Sequence, residues 1–469
     1  MKIVWSDLAR FAVGLVGDIE IEGHVCPIDR APRSRYFVFA PEPMCCIGCL
    51  PRDPAGCIEV FAADLLTLPH GQVRIAGRLE RLDGDPSGFR FQLRNARFDA
   101  ASLLSSVFSR RRALGAGALL CLAAAAPAPD APTDAEMEAA ARRVIAGMAT
   151  VDIHSHAGGV IGVARVAGHA PFTPVSAPMQ QGGMAVVCMA AVPDSPVHKV
   201  MPDRRIRPFR DPMPGELYAF TQEALARVHD LARVQNFAII DTPAALRATR
   251  SDAPGLVISS EGADFLEGQI DRVDEAVKRW RLRHLQLTHY RVNELGDIQT
   301  EDPVHNGLTD FGAAVIERCN KIGVVVDVAH GTFALVQRAA KVTRKPLVLS
   351  HTSLSINPIP APRGRLISAE HARLIASTDG IIGIWPPASI FPSLDRMAMG
   401  IRRMTDVVGV AHVALGTDMR GLVGPSIFPD YDRLPALVAA MQRQEFSEAD
   451  IQAILGGNYL RVFEASLKV

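Results

Sequence analysis

From about residue 133 onward, short apolar runs alternate with segments of helical period. The candidate strands are Thr150–Ile153, Ala185–Met189, Phe237–Ile240, Leu256–Ser259, Leu285–Thr288, Val324–Val328, Leu347–Ser350, Ile381–Ile384 and Val413–Leu415. Helical stretches such as Asp310–Lys321 and Ala369–Ser377 lie between many of them. Repeated strand–helix units over this length predict a parallel α/β architecture, a (β/α)8 barrel spanning residues 133–469. Nine candidates compete for eight places, so one of them must decorate the barrel.

The pattern upstream is different. Over residues 1–105, alternating runs such as Asp18-Ile19-Glu20-Ile21-Glu22-Gly23 and Gln72-Val73-Arg74-Ile75-Ala76-Gly77 read as half-buried strands punctuated by Gly, Pro and Asp. They predict a small β-rich domain. Residues 106–132 change again. Ser109-Arg110-Arg111-Arg112 leads into an apolar stretch, Ala113 to Ala126, and then into Pro127-Ala128-Pro129. A basic patch, a short apolar core and small residues have the makeup of an export signal, here of twin-arginine type. Its mid-chain position leaves an Ala-rich linker as the other reading. On the signal reading the barrel is expected in a bacterial periplasm or cell envelope, and the chain joins two reading frames or truly starts near residue 105. On the linker reading it is expected in the cytoplasm.

Composition narrows the partners. Lys+Arg and Asp+Glu are 50 each, which gives no electrostatic argument for nucleic acid. No apolar run reaches the roughly 20 residues that span a bilayer. Of eight cysteines, Cys26, Cys45, Cys46, Cys49 and Cys57 crowd the first module, while Cys121, Cys188 and Cys319 are scattered. A chain this long needs no disulfide framework, so the early cluster points to metal binding, disulfides or buried thiols local to that module.

The chemistry sits at the strand ends. The first barrel strand runs into His154-Ser155-His156; others end at Glu261, His289, His330, His351 and Asp418. In a (β/α)8 barrel these ends converge on one face. Side chains two apart on a strand share a side, so His154 and His156 point together. Imidazoles with a carboxylate suit Zn²⁺, and a carboxylate can bridge two ions that acidify one water.

These residues lie in familiar surroundings. Leu287-Thr288-His289-Tyr290, Gly307-Leu308-Thr309-Asp310-Phe311-Gly312, Val326-Asp327-Val328-Ala329-His330, Ser350-His351-Thr352-Ser353, Gly416-Thr417-Asp418 and Gly456-Gly457-Asn458-Tyr459 resemble the membrane (renal-type) dipeptidase family of zinc peptidases, over about residues 148–465. The resemblance implies an enzyme that hydrolyses dipeptides with two zinc ions. His154 and His156 would hold one ion, His330 and His351 the other, and Glu261 would bridge them. His289 would polarise the substrate carbonyl, Arg365 would grip the substrate carboxylate, and Asp418 would carry the proton to the leaving amine. A homodimer stays open. The first module more weakly resembles an uncharacterised bacterial OB-like domain carrying Cys45-Cys46-Ile47-Gly48-Cys49.

Two positions depart from the family pattern. His156 stands where the family has Asp, giving the His-x-His of the wider amidohydrolase superfamily and a site about one charge more positive. Arg420 stands where the family often has Asp. A metal-dependent deacylase or other amidohydrolase acting on N-acyl amino acids or a related carboxylate-bearing amide is therefore the alternative. A barrel that has lost catalysis is disfavoured, because a dead site has no need of Glu261, His330, His351 and Asp418 together.

Overall fold

In the computed structural model, the described residues are all but 11–15, 29–32, 44–53, 70, 83–84, 86–88, 100–133, 162–170, 356–362 and 469. The segment 106–132 and cysteines 45, 46, 49 and 121 therefore lie outside the described residues. The chain divides into two compact units, Met1–Ala140 and Ala141–Val469.

The first unit is a closed barrel of five strands: β1 (Gly17–Cys26), β2 (Arg33–Ala40), β3 (Ile58–Thr67), β4 (Gln72–Arg81) and β5 (Phe91–Phe98). They run in the order β1-β2-β3-β5-β4, with β4 returning to β1. All pairs are antiparallel except β3–β5. The two alternating runs of the sequence fall in β1 and β4. Their inward positions, Ile19, Ile21, Val73 and Ile75, join Phe37, Phe39, Val60 and Leu93 in one core. The closed barrel leaves no open sheet edge, which suits a module this small.

In the second unit, eight parallel strands close into a ring. They are β6 (Val151–Ser155), β7 (Val186–Ala191), β11 (Gly255–Ser260), β12 (His284–Gln286), β13 (Val325–Asp327), β14 (Leu347–Thr352), β15 (Ile381–Ile384) and β16 (Val413–Leu415). Between β7 and β11 the chain adds a hairpin of β8 (His198–Val200) and β9 (Ile206–Pro208), then β10 (Ala238–Ile239). Strand β10, from the candidate Phe237–Ile240, is the ninth and decorates the outside of β11. Its two paired residues are partly exposed, whereas every residue of the eight ring strands is buried. Helices cover the outer faces, and their ends are set by local chemistry. Thr309 caps Asp310–Ile322 by accepting from Gly312 N–H, and Ser368 caps Ala369–Ala376 by accepting from His371 N–H.

The ring closes where its first and last strands meet. There β16 and β6 share one ladder pair, Leu415 with Asp152. Side chains complete the seam. Asp152 is fully buried and accepts from Thr417 N–H (2.9 Å), Thr417 Oγ1 (2.6 Å) and Tyr431 Oη (2.8 Å). Beyond it, Asp418 N–H donates to His154 O (3.0 Å), and His156 N–H donates to Met419 O (2.9 Å).

Candidate active site

Strand ends bring the predicted residues together. His154 and His351 lie within β6 and β14, and Glu261 follows β11 directly. His289, His330 and Asp418 each stand three residues past their strands, β12, β13 and β16. His330 and Asp418 have φ of 67° and 48°, the left-handed region that side chains other than Gly enter at a cost. That turn carries each side chain back over the mouth of the barrel. These six and His156, just past β6, are buried, and Arg365 is half-buried.

The donor atoms cluster as two histidine pairs around one carboxylate. His154 Nε2 is 3.2 Å from His156 Nε2, and His330 Nε2 is 3.1 Å from His351 Nε2. Glu261 Oε2 is 3.0 Å from His156 Nε2, and its Oε1 is 3.5 Å from His154, 3.1 Å from His330 and 3.4 Å from His351. Ligand atoms about 2.0–2.1 Å from a tetrahedral ion sit about 3.3 Å apart, so these separations fit metal coordination. Two groups, His154–His156–Glu261 and Glu261–His330–His351, could each hold an ion. The outer ring nitrogens support this. His156 Nδ1 meets Ala190 O at 3.0 Å and His351 Nδ1 meets Ser350 Oγ at 2.9 Å, which leaves both Nε2 atoms for the centre.

The electrostatics agree. Burial, then the positive charge of Arg365, holds His330 well below the usual histidine range; burial, then His154 and Arg365, does the same to His351. Neutral imidazole is the ligand form. Burial pulls His156 down, but hydrogen bonds and charge from Asp418 and Glu261 outweigh it and lift it to about 10. Burial would raise Glu261, yet His289 and His154 keep it well below the carboxylate range.

Asp418 faces this centre, with Oδ1 3.4 Å from His156 Nε2. His289 Nε2 lies 3.3 Å from Glu261 Oε2. Arg365 packs against His330: one Nη is 3.0 Å from His330 Nδ1 and 2.5 Å from its Nε2, the other donates to His351 O at 3.3 Å, and the guanidinium lies 5.4 Å from the centre of the Trp385 ring. A cavity of about 560 Å³ opens above the cluster, walled by His156, Glu261, His289, His330 and Asp418 on one side and by the β8–β9 hairpin on the other.

One functional residue was missed in the sequence. Asp194 is fully buried, and His289 Nδ1 donates to its Oδ1 at 2.7 Å while Tyr290 N–H donates to Oδ2 at 3.1 Å. His198 Nδ1 lies 3.2 Å from Oδ1. Burial alone would raise Asp194; the two imidazoles hold it low. Burial in turn lowers His289, but Asp194 and Glu261 outweigh it and raise it. The signal appears only with the strand ends of the structure: Asp194 stands three residues past β7, the same offset as His289, His330 and Asp418, an offset that the strand runs read from the sequence do not share.

Residues 176–469 match the membrane dipeptidase family, peptidase family M19. The chain belongs to that family. Among curated members, dipeptidase aclJ of Aspergillus oryzae (strain ATCC 42149 / RIB 40) is 30% identical over 226 residues, 45% of this chain and 52% of its own. Dipeptidase 3 of Macaca fascicularis is 25% identical over 173 residues, 35% of this chain and 34% of its own. The chain spans about half the length of the first curated members it matches. Solved structures share the barrel fold. The probable dipeptidase PvdM from Pseudomonas aeruginosa aligns with a TM-score of 0.59 and 16% identity, over 71% of this chain and 99% of its own. A metallo peptidase from Rhodobacter sphaeroides, liganded with a phosphinate mimic of the dipeptide L-Ala-D-Ala, aligns with 0.54 and 20%, over 68% and 99%. His154-Ser155-His156 lies ahead of the matched residues, and the Nε2 atoms of both histidines sit with the rest of the cluster. No helix among the described residues is long and apolar enough to cross a membrane.

Proposed function

We propose that this chain is a dinuclear zinc dipeptidase. The observation that carries the proposal is Glu261, whose two carboxylate oxygens lie within 3.0–3.5 Å of both histidine pairs. His154, His156 and Glu261 would hold one ion; Glu261, His330 and His351 would hold the other. Bound there, the ions supply Lewis acidity and a water that is easier to deprotonate. The protein does the rest. Asp418, at the mouth of the last strand, accepts the water's proton and returns it to the leaving amine. Asp194 takes the Nδ1–H of His289 and so turns Nε2 toward the substrate carbonyl. Arg365 is the cation for the substrate carboxylate, and a bidentate guanidinium suits that role.

The test combines elemental analysis with a substrate panel. Purified chain should carry about two zinc ions, one for each of its two ligand groups. It should release amino acids from unblocked dipeptides, lose that activity to a chelator and regain it with Zn²⁺. His156 in place of an acidic ligand favours a second reading, deacylation of N-acyl amino acids. Hydrolysis of N-acetyl amino acids with no hydrolysis of dipeptides would establish that reading and overturn the first.

A further inference from the structure

The outer wall of the cavity carries a charge that the chemistry above does not use. Beyond Asp194 the chain enters the β8–β9 hairpin, and His198, Lys199, Val200, Ile206, Phe209 and Arg210 face the cavity together with Glu216. Arg210 is already neutralised, because both its Nη atoms reach the Glu216 carboxylate. Lys199 is not: among the described residues no carboxylate pairs with it, and its Nζ lies 4.8 Å from the centre of the Phe209 ring. An ammonium held over an aromatic face keeps its full charge while its stem lies along the wall. Among the described lining residues outside the catalytic cluster, Arg210 and Glu216 cancel, which leaves the positive charge of Lys199.

Position makes that charge relevant to recognition. Lys199 follows His198, whose ring stands edge-on to His289 with centroids 5.3 Å apart. Lys199 and His289, the group assigned to the scissile carbonyl, line the same cavity. The cavity of about 560 Å³ lies within the range that encloses a whole small ligand, about 300–1,000 Å³, and leaves room for a side chain. We propose that Lys199 binds a carboxylate on the substrate side chain, so that the preferred substrates are dipeptides containing Asp or Glu. This rests on the dipeptidase reading and names its substrate class.

The test is a comparison of kcat/KM for Ala-Ala, Ala-Glu, Glu-Ala, Ala-Lys and Lys-Ala, with the zinc-loaded full chain at low ionic strength. The expected result is a severalfold preference for one Glu-containing substrate over Ala-Ala. Lys199→Met should lower that acidic-to-neutral ratio about fivefold, mostly through KM, the order expected of a partly exposed ion pair. Raising the salt to about 0.5 M should erode the wild-type ratio in the same direction. Lys199→Glu should turn the preference toward the Lys-containing substrate. Equal rates for acidic and neutral dipeptides would overturn the proposal while leaving the dipeptidase reading intact. So would a Lys199→Met loss shared equally by all five substrates, which would mean that Lys199 grips the main-chain carboxylate or shapes the hairpin. If no dipeptide is cleaved, the dipeptidase reading and the dipeptide assignment fail together. N-acetyl-Glu against N-acetyl-Ala then shows whether Lys199 still selects a carboxylate.

Discussion

Gly421 lies against two of the groups assigned to hydrolysis. A Cβ built on it would sit 2.0 Å from Asp418 Oδ1 and 2.7 Å from His156 Cδ2. Close carbon–oxygen contacts are about 3.3 Å, so with alanine here the carboxylate must retreat by about 1.3 Å. His156 gives less easily, because its ring is pinned through Nδ1 to Ala190 O at 3.0 Å. Asp418 therefore moves, out of its 3.4 Å approach to His156 Nε2. A 1 Å misplacement of a reacting group costs about 10²-fold in rate, or about 2.7 kcal/mol of barrier. Gly421→Ala should then lower kcat about a hundredfold on an unblocked dipeptide, with zinc by elemental analysis close to wild type. Thermal stability should hold, because the backbone of Gly421 is outside the left-handed region. In an Asp418→Asn background the same change should cost little more, since both act on one group. A Gly421→Ala enzyme within threefold of wild type would refute the placement of Asp418. A rate that falls only in proportion to lost zinc would show that His156 had moved instead.

Asp418→Asn keeps the shape of the side chain and removes the base; kcat should fall by about 10²–10⁴ with metal content retained, and loss of zinc would make Asp418 a ligand. Asp194→Asn should lower kcat more than it alters KM, and in a His289→Gln background it should add almost nothing, because Asp194 acts through that ring; additive losses would count against the assignment. His371 is buried against Phe333 and pushed down to about 4 from an ordinary 6.5, so it is neutral in the fold and charged earlier in the unfolded chain. It therefore costs stability progressively as the pH falls from 6.5 to 4, by about 3 kcal/mol in full. His371→Leu should flatten that acid limb in denaturant titrations at stepped pH, and an unchanged limb would exclude it.

The barrel was legible because its strands are short apolar runs bounded by polar residues, and because their carboxyl ends carry the chemistry. Phe237–Ile240 has the same texture, yet its partly exposed residues pair on one side only, and hydropathy does not record that. His154 and His156 could be placed together from the two-residue period of a strand, although β6 ends at Ser155 and His156 lies just beyond it. Asp194 escaped notice because it follows Val192-Pro193 in a stretch that reads as a loop. Its three-residue offset from a strand end emerges only with the strand ends of the structure. The β8–β9 hairpin is too short for any periodicity, so the cavity's outer wall and Lys199 could not be read from pattern. Arg365 was placed by resemblance alone. Its packing on His330, with Gln299 beside it, follows from the β14 loop.

The seam between β16 and β6 has a consequence for synthesis. His154 and His156 lie on the first strand of the ring and Asp418 just past the last, and they meet across a joint of one ladder pair, closed by Asp152, Thr417 and Tyr431. Between them the ribosome must make the other six strands. A nascent chain thus carries His154 and His156, the first residues assigned to metal, early but lacks Asp418, the residue assigned to the proton, until the final strand has emerged and docked. On the proposed function, hydrolysis should not begin on an incomplete chain, and a truncation ahead of β16 should leave a polypeptide without a working centre. A split protein should behave alike: two fragments divided within the ring should each be inert and regain activity only when this seam forms between them.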